Sequence, residues 1–443
     1  MSTKRESSES GQALVLLALA FVALLGFVAL AIDGGMVYSN RRHAQNASDA
    51  ASMAGGGTAA LYLENHFVDY ENWNCSDPSV IAAQGDSNSG AVKAAINLAI
   101  SNDYEIDDDI SDDNGVDTNC GVVDNGSYFE KFIDIRTLIT ADTPTSFIQF
   151  VYPGPLRNTV ESVARVWPRT PLAFANAMVA LSESCDNGTG GVNFVGTSGS
   201  NVTGGGVFSN ACVTANGSAS ISLEPGHKVA CVGAGCASKW SPASGPTPQV
   251  GTYTLPEEVV TVPPPDCTLV PNRGSHTGGG TIDPGRYSEI RVNSVNDSLF
   301  LKPGLYCVSN GLKMNGGSIK GYNITIYLTG GDFDVSGSNL VDLSAPPARD
   351  CTICPPAIPG VLVYLDENNT GEASLLGSSD NSYLGVVYAP GGTVEVGGTA
   401  GEVSEIDAQL IGSTVNIHGT AELVINFDGG MVFQIPSRLE LSK

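Results

Sequence analysis

Charge is scarce in this chain. Asp, Glu, Lys and Arg make up 15% of its 443 residues, well under the usual quarter. Basic charge is scarcer still: 21 Lys and Arg stand against 46 Asp and Glu, for a net charge of -25. A body this acidic repels nucleic acid and anionic lipid, so no nucleic-acid partner is expected. Clustered chemistry is missing as well. There is no Gly-rich phosphate loop, no Ser-His-Asp arrangement and no His-x-x-x-His, and His227, His276 and His418 stand apart. The basic residues beyond 260 (among them Arg273, Arg286, Lys313 and Arg349) are scattered, whereas carbohydrate-cleaving sites need acid and base side chains gathered on one face. No catalytic residue, metal ligand or cofactor is assigned, and the chain is not expected to be an enzyme. Past residue 190 no stretch has the spacing of an amphipathic helix.

What is abundant is turn chemistry. Gly occurs 53 times, between short apolar runs bounded by Asn and Ser, the pattern of an all-β body with many tight turns. Ten cysteines are spread through it: Cys75, Cys120, Cys185, Cys212, Cys231, Cys236, Cys267, Cys307, Cys351 and Cys354. An even count among loops suits disulfides in an oxidising compartment. Spacing does not fix their connectivity, and pairing of neighbours is the simplest guess. Cys351-Thr-Ile-Cys354 is a CxxC, open to three readings: a local disulfide, a redox pair, or half a zinc site with Cys231 and Cys236. Pro355, Pro356 and Pro359 follow it, where a redox motif wants a helix, so the local disulfide is favoured.

Ala13 to Ile32 is an unbroken run of 20 uncharged, mostly Leu, Ala, Val and Phe residues. As a helix it is about 30 Å long, the thickness of the bilayer's hydrocarbon core. Lys4 and Arg5 before it are balanced by Arg41 and Arg42 after it, so basic residues do not orient it. The cysteines and the acid beyond residue 60 place the C-terminal side outside the cell. A cleaved signal peptide is the rival reading, with Ala29-Leu30-Ala31 as its site, but the run is longer than a signal core. Val37, Ala44, Ala47, Ala51 and Ala54 continue a helical stripe of small residues, and Gly55-Gly56-Gly57 should weaken or end the helix.

Gly11-Gln12-Ala13-Leu14-Val15, the apolar run, Ala31-Ile32-Asp33-Gly34-Gly35, and then Arg41-Arg42-x-Ala44-Gln45-Asn46-Ala47-x-Asp49-Ala50-Ala51 together resemble the TadE/TadG-like N-terminal segment of Flp/Tad pilus-assembly proteins. The likeness covers about 45 residues, a tenth of the chain. It implies an anchor whose motif residues are Gly11, Gln12, Asp33, Gly34, Gly35, Arg41, Arg42, Gln45, Asn46 and Asp49. The implied partners are the lipid bilayer and components of a Tad pilus or secretion apparatus. A processed prepilin of that type carries Glu five residues into the mature chain, where this sequence has Leu16, so processing is not expected.

Residues 58–168 read as a small α+β domain. Ala91 to Ser101 has helical spacing, Phe129–Ile139 and Thr159–Trp167 alternate as strands, and Thr145–Val151 reads as a helical turn. Asp103 to Asp117 is dense in carboxylates, yet Asn114 and Cys120 fall where a calcium loop needs Gly and Glu, so it reads as a solvated loop. From 172 to 443 short strands recur. Ile282-Asp283-Pro284-Gly285-Arg286-Tyr287 returns 19 residues later as Leu301-Lys302-Pro303-Gly304-Leu305-Tyr306, and Leu223-Glu224-Pro225-Gly226 is a partial third copy. That period predicts stacked rungs, a right-handed parallel β-helix, with a β-sandwich as the alternative. The likeness of Leu384–Phe427 to β-helical ectodomains that follow TadG-like anchors is looser. A Pro- and Ser-rich stretch, 240–265, interrupts the pattern and reads as a linker between two β-helical parts. Asp334-x-Ser336-x-Ser338 copies a metal-dependent adhesion signature, but without the alternating helices that fold requires.

The predicted organisation is mainly β: a cytoplasmic N-terminus (1–12), a transmembrane helix (13–32), a helical extension (33–57), the α+β domain (58–168) and the β-helical ectodomain (172–443). The functional expectation is a single-pass surface protein, structural or adhesive, associated with Flp/Tad pilus assembly. The alternative is a β-helix that binds or cleaves a surface polysaccharide. Paired carboxylates in an aromatic groove would favour the latter, an evenly polar Thr/Ser/Asn face the former.

Overall fold

The computed structural model describes residues 10–126, 128–148, 154–185, 190–196, 199–335, 340–349, 354–377, 381–398, 403–419 and 422–442. They form two compact units. The first draws on 1–121, 131–168 and 437–443, the second on 122–130 and 169–436.

The first unit is built on one helix, α1 (Ser10–Asn65), 56 residues long. Its apolar stretch lies bare, with Leu14, Leu17, Phe21 and Phe27 each more than 60% exposed. Among the described residues it is the one helix long and apolar enough to cross a membrane. Beyond Ile32 the same helix becomes a spine. The stripe of small residues is covered by the unit's own chain, with Ala44, Ala47, Ala51 and Ala59 buried against α3 (Gly90–Ser101) and the sheet. Between them α2 (Pro78–Gln84) starts on a side-chain cap, the Ser79 amide donating to Asp77.

The expected helix end at Gly55–Gly57 is corrected: α1 passes through all three glycines. The reason is packing. A Cβ on Gly55 would stand 2.9 Å from the Ala91 carbonyl oxygen and 2.9 Å from Ile135 Cγ2. One on Gly56 would run into Leu439 Cδ1, whereas Gly57 faces open space. The first two glycines let α3 and the sheet approach the helix, and the area buried there outweighs their poor propensity, about 1 kcal/mol each.

The sheet of this unit has the order β1 (Gly115–Asp124), β2 (Phe129–Thr143), β3 (Leu156–Trp167) and a closing strand, Arg438–Leu441. That last strand, expected within the ectodomain, pairs antiparallel with β3, Arg438 opposite Trp167 and Leu441 opposite Ala164. The second unit is thus an insertion between two adjacent strands of the first. The turn expected at Thr145–Val151 lies only partly within the described residues.

The second unit is a parallel β-helix: 23 strands join one sheet, and neighbouring rungs pair in parallel, which removes the β-sandwich. The repeated segments stack, Ile282 directly over Leu301. Apolar residues point into one continuous core running from Leu172 to Ile435. Single rungs cannot bury such a face, and stacking joins them.

Chain order and stacking order differ. Val229–Val232 pairs with Gly206–Ser209, which pairs with Asn176–Ala180. The last of these lies on the C-terminal rung, Met178 beside Leu410. The first rungs in sequence therefore stack beyond the last, and the chain enters and leaves the β-helix mid-stack. The joint is stitched by amides. Buried Gln409 Nε2 donates to the Leu172 and Asn176 carbonyls at 2.7 and 2.8 Å, and Asn193 Nδ2 donates to Asn416 Oδ1 at 2.9 Å.

This order requires residues 252–271 to run back along the stack. One face passes through ten strand spacings between Gln249–Gly251 and Asn272–Thr277, about 48 Å at about 4.8 Å each. Twenty extended residues reach about 66 Å. The Pro-rich strap seals the flank it crosses, with Val259 and Val262 buried and Tyr364 Oη donating to the Val262 carbonyl at 2.7 Å. Of the stretch expected as linker, the part before the strap belongs to rungs: Trp240 bridges to Ala215, Ser244 to Ser220, and Gln249–Gly251 is a strand.

Candidate functional site

The motif residues of the anchor sort themselves around α1. Asp33, the first charged residue after the apolar run, is buried. Its Oδ1 accepts the Ser146 amide at 2.9 Å, and its Oδ2 accepts those of Phe147 and Ile148 at 2.9 and 2.6 Å. Burial works to raise its carboxyl, but the three N–H donors outweigh it and hold it below the usual carboxylate range. Two turns further, Asn40 Nδ2 donates to Thr143 Oγ1. Gln45 Nε2 bridges Asp49 Oδ1 at 2.7 Å and the Glu161 carbonyl at 3.2 Å. Ser48 donates to the Thr137 carbonyl, and Ser52 Oγ lies 2.9 Å from Thr137 Oγ1. These polar contacts lock one face of the helix to β2 and β3.

Gly34, Gly35, Arg41, Arg42 and Asn46 are exposed. A Cβ at Gly34 or Gly35 would meet nothing, and the Arg42 guanidinium sits 5.8 Å from the centre of the Tyr38 ring. Gly11 and Gln12 lie in the helix. The motif therefore has one part, Asp33, Gln45 and Asp49, spent on the unit's own contacts and another, Gly34, Gly35, Arg41, Arg42 and Asn46, exposed.

The cysteines form pairs of sequence neighbours: Cys75–Cys120, Cys185–Cys212, Cys231–Cys236 and Cys267–Cys307. Cys354 is disulfide-bonded, and Cys351 lies outside the described residues. With Cys231 and Cys236 joined to each other, the zinc reading loses its second ligand pair. In the acidic loop, carboxylates are used locally: Asp107 accepts the Asp109 amide and Asp109 the Ser111 amide, each at 2.9 Å. Among the described residues no three His, Cys, Asp or Glu side chains are arranged to hold a metal ion. Of the adhesion-like signature, Ser336 and Ser338 lie outside the described residues, while Asp334 pairs with Lys313 at 3.2 Å.

One cluster escaped the sequence reading. His418 does not stand alone: its Nε2 is 2.7 Å from Glu395 Oε1. Glu395 also hydrogen-bonds Glu372, and this bond, with burial and the nearby charges of Glu395 and Asp332, pushes the Glu372 carboxyl up to about 7. The three come from successive rungs, Ala373 pairing with Val394 and Val396 with Ile417. Glu372, Glu395 and His418 are each 23 residues apart, close to the repeat, and that spacing was the available signal. A cavity of about 620 Å³ opens where the strap crosses the β-helix, bordered by Glu183, Glu257, Asp366 and Glu367. The Tyr364 and Tyr388 rings in its wall are nearly buried, stacked edge to face at 4.9 Å. They serve the strap rather than an open aromatic groove.

Residues 11–60 match the family model described as "Putative Flp pilus-assembly TadE/G-like". No curated protein and no solved structure matches the chain.

Proposed function

We propose that this chain is a single-pass, cell-surface protein of structural or adhesive role in Flp/Tad pilus assembly, with both folded units outside the membrane. One observation carries the reading. The segment matched by the family is a single helix whose first part is bare and apolar and whose second part is the spine of a folded unit. It fastens a rigid body to a bilayer and leaves Arg41, Arg42 and Asn46 for a partner in the pilus apparatus. The four disulfides between described cysteines, and the bonded state of Cys354, fit an oxidising compartment. The Asn, Ser and Thr ladder on the outer rungs suits a surface that presents rather than reacts, and no catalytic residue or cofactor is assigned.

The test is protease shaving of intact cells, with mass spectrometry of the membrane-retained N-terminus and a photo-crosslinker at Arg41 or Arg42. The reading expects a protected 1–35 fragment, a released body and adducts with Tad components. A mature chain starting near Ile32 in the medium would overturn the anchor. Adducts to unrelated proteins alone would overturn the pilus association.

A second reading is favoured by the Glu372–Glu395–His418 cluster on successive rungs, where the hydrogen bond to Glu395 pushes the Glu372 carboxyl up to about 7; such a set of donors and acceptors suits binding of a polyhydroxylated surface glycan. Screening the β-helical unit in the full chain against glycans, with Glu395→Gln as control, decides it: binding that Glu395→Gln abolishes supports it, and no binding removes it.

A further inference from the structure

The connection between β2 and β3 contains no charged residue. From Thr143 to Leu156 the sequence is Thr-Pro-Thr-Ser-Phe-Ile-Gln-Phe-Val-Tyr-Pro-Gly-Pro-Leu, flanked by Asp142 and Arg157, which pair with each other at 3.1 Å. Thr143 and Leu156 form the last rung of the hairpin.

Two side chains of α1 fix the height of this connection along the helix. Asn40 holds Thr143 where the sheet stops. Asp33, seven residues and so about 10 Å nearer the apolar run, holds the amides of Ser146, Phe147 and Ile148. The chain therefore descends past the end of the sheet toward the membrane-spanning segment, and its amides are captured by the residue that directly follows Ile32. There Phe147 is 43% exposed, and within about two turns of Asp33 on the helix Met36 and Tyr38 are exposed at 39% and 64%. Exposed aromatic and apolar side chains at the edge of a spanning helix fit the headgroup boundary, where Trp and Tyr belts form.

We propose that the turn at Ser146–Ile148 is a second membrane contact: Phe147 sits in the interfacial layer of the leaflet from which α1 emerges, the layer that the exposed Met36 and Tyr38 of the helix also approach. This rests on the reading of 13–32 as a membrane span and goes beyond it, because two contacts on one rigid unit fix the rotation and tilt of the anchor, which a lone helix does not. The occupant is the bilayer surface, in continuity with the span itself. Asp33 is the positioning residue: its carboxylate satisfies three amides that would otherwise meet the edge of the apolar layer without partners.

The test uses the full chain in phosphatidylcholine vesicles containing shallow-brominated lipid, with Phe147→Trp read against the unsubstituted protein, whose Trp73, Trp167 and Trp240 give the background. Phe21→Trp reports the span, and Leu61→Trp lies about 43 Å beyond Ile32 along the helix. Hydrogen exchange at Ser146–Ile148 checks that the turn is intact in Phe147→Trp. The expected result is quenching of Phe147→Trp to at least about half the extent seen for Phe21→Trp, with Leu61→Trp unquenched. Quenching of Phe21→Trp but not Phe147→Trp overturns the second contact and leaves the anchor standing. If neither is quenched, the span and the contact fail together.

Discussion

Adding a methyl group on opposite sides of one helical turn should have different effects. Gly→Ala in a helix interior ordinarily stabilises by about 1 kcal/mol, because the more flexible residue loses more freedom on folding. At Gly57 a Cβ meets nothing within 4 Å, so Gly57→Ala should gain close to that amount. At Gly55 the same atom comes 2.9 Å from the Ala91 carbonyl oxygen, 2.9 Å from Ile135 Cγ2 and 3.3 Å from Ala95 Cβ. The oxygen belongs to the first turn of α3 and cannot yield unless that helix moves. Overpacking of this kind costs about 1–3 kcal/mol. Gly55→Ala should therefore range from neutral to about 2 kcal/mol destabilising, and fall about 1–3 kcal/mol below Gly57→Ala. Hydrogen exchange of the α1 amides between Ala44 and Leu63, in the full chain in bicelles, reads both. Propensity cancels in the comparison. If Gly55→Ala proves as protective as Gly57→Ala, close packing is not why the helix carries glycine there.

Asp33→Ala should strip exchange protection from Ser146, Phe147 and Ile148 while leaving β2 protected. In the unaltered chain the depressed carboxyl adds stability above the ordinary carboxylate range, about 3.9, and loses it as pH falls through its lower folded value; protection persisting in full at the acid end would contradict this. The double change Cys267→Ser and Cys307→Ser, which opens a link across 40 residues, should cost about 2–4 kcal/mol and expose the strap to proteolysis between 252 and 266; unchanged cleavage would mean that burial of Val259 and Val262 alone holds it. Glu372 gives the reverse pH signature. Its folded value of about 7 lies above the ordinary 4.5, so its contribution is present at low pH and is lost as pH rises from about 4.5 to about 7. Glu372→Gln should flatten that part of the urea midpoint against pH, and a slope left intact would exclude the shared proton.

Local pattern was readable wherever one element decided its own state. The apolar run, the helix at Ala91–Ser101 and the strand alternation of Phe129–Ile139 are periodicities, and the structure repeats them. The 19-residue echo between Ile282 and Leu301 identified rungs because stacked residues share one environment. What one period cannot encode is which rung lies on which. Met178 beside Leu410 is a contact between two ordinary core residues, and nothing in either marks the partner. The same blindness hid Glu372, Glu395 and His418, which look solitary in sequence and meet only after stacking. Gly55–Gly57 misled for a different reason: propensity speaks for an isolated helix, and here Ala91, Ile135 and Leu439 had already claimed the space.

The closing strand gives the protein an order of manufacture. The membrane-proximal unit begins first and finishes last. Its spine and three strands are made by Trp167, but the strand that covers the β3 edge and fills the hollow over Gly56 with Leu439 arrives only after the 268 residues from Arg169 to Pro436. At about 5–20 residues per second that wait is roughly 10–50 s. A chain broken off anywhere in the β-helix lacks Arg438–Leu441 and leaves Ala164–Trp167 unpaired, a sticky edge of the kind proteases and neighbouring chains find first. The first unit's sheet is thus completed only after the β-helix has been made.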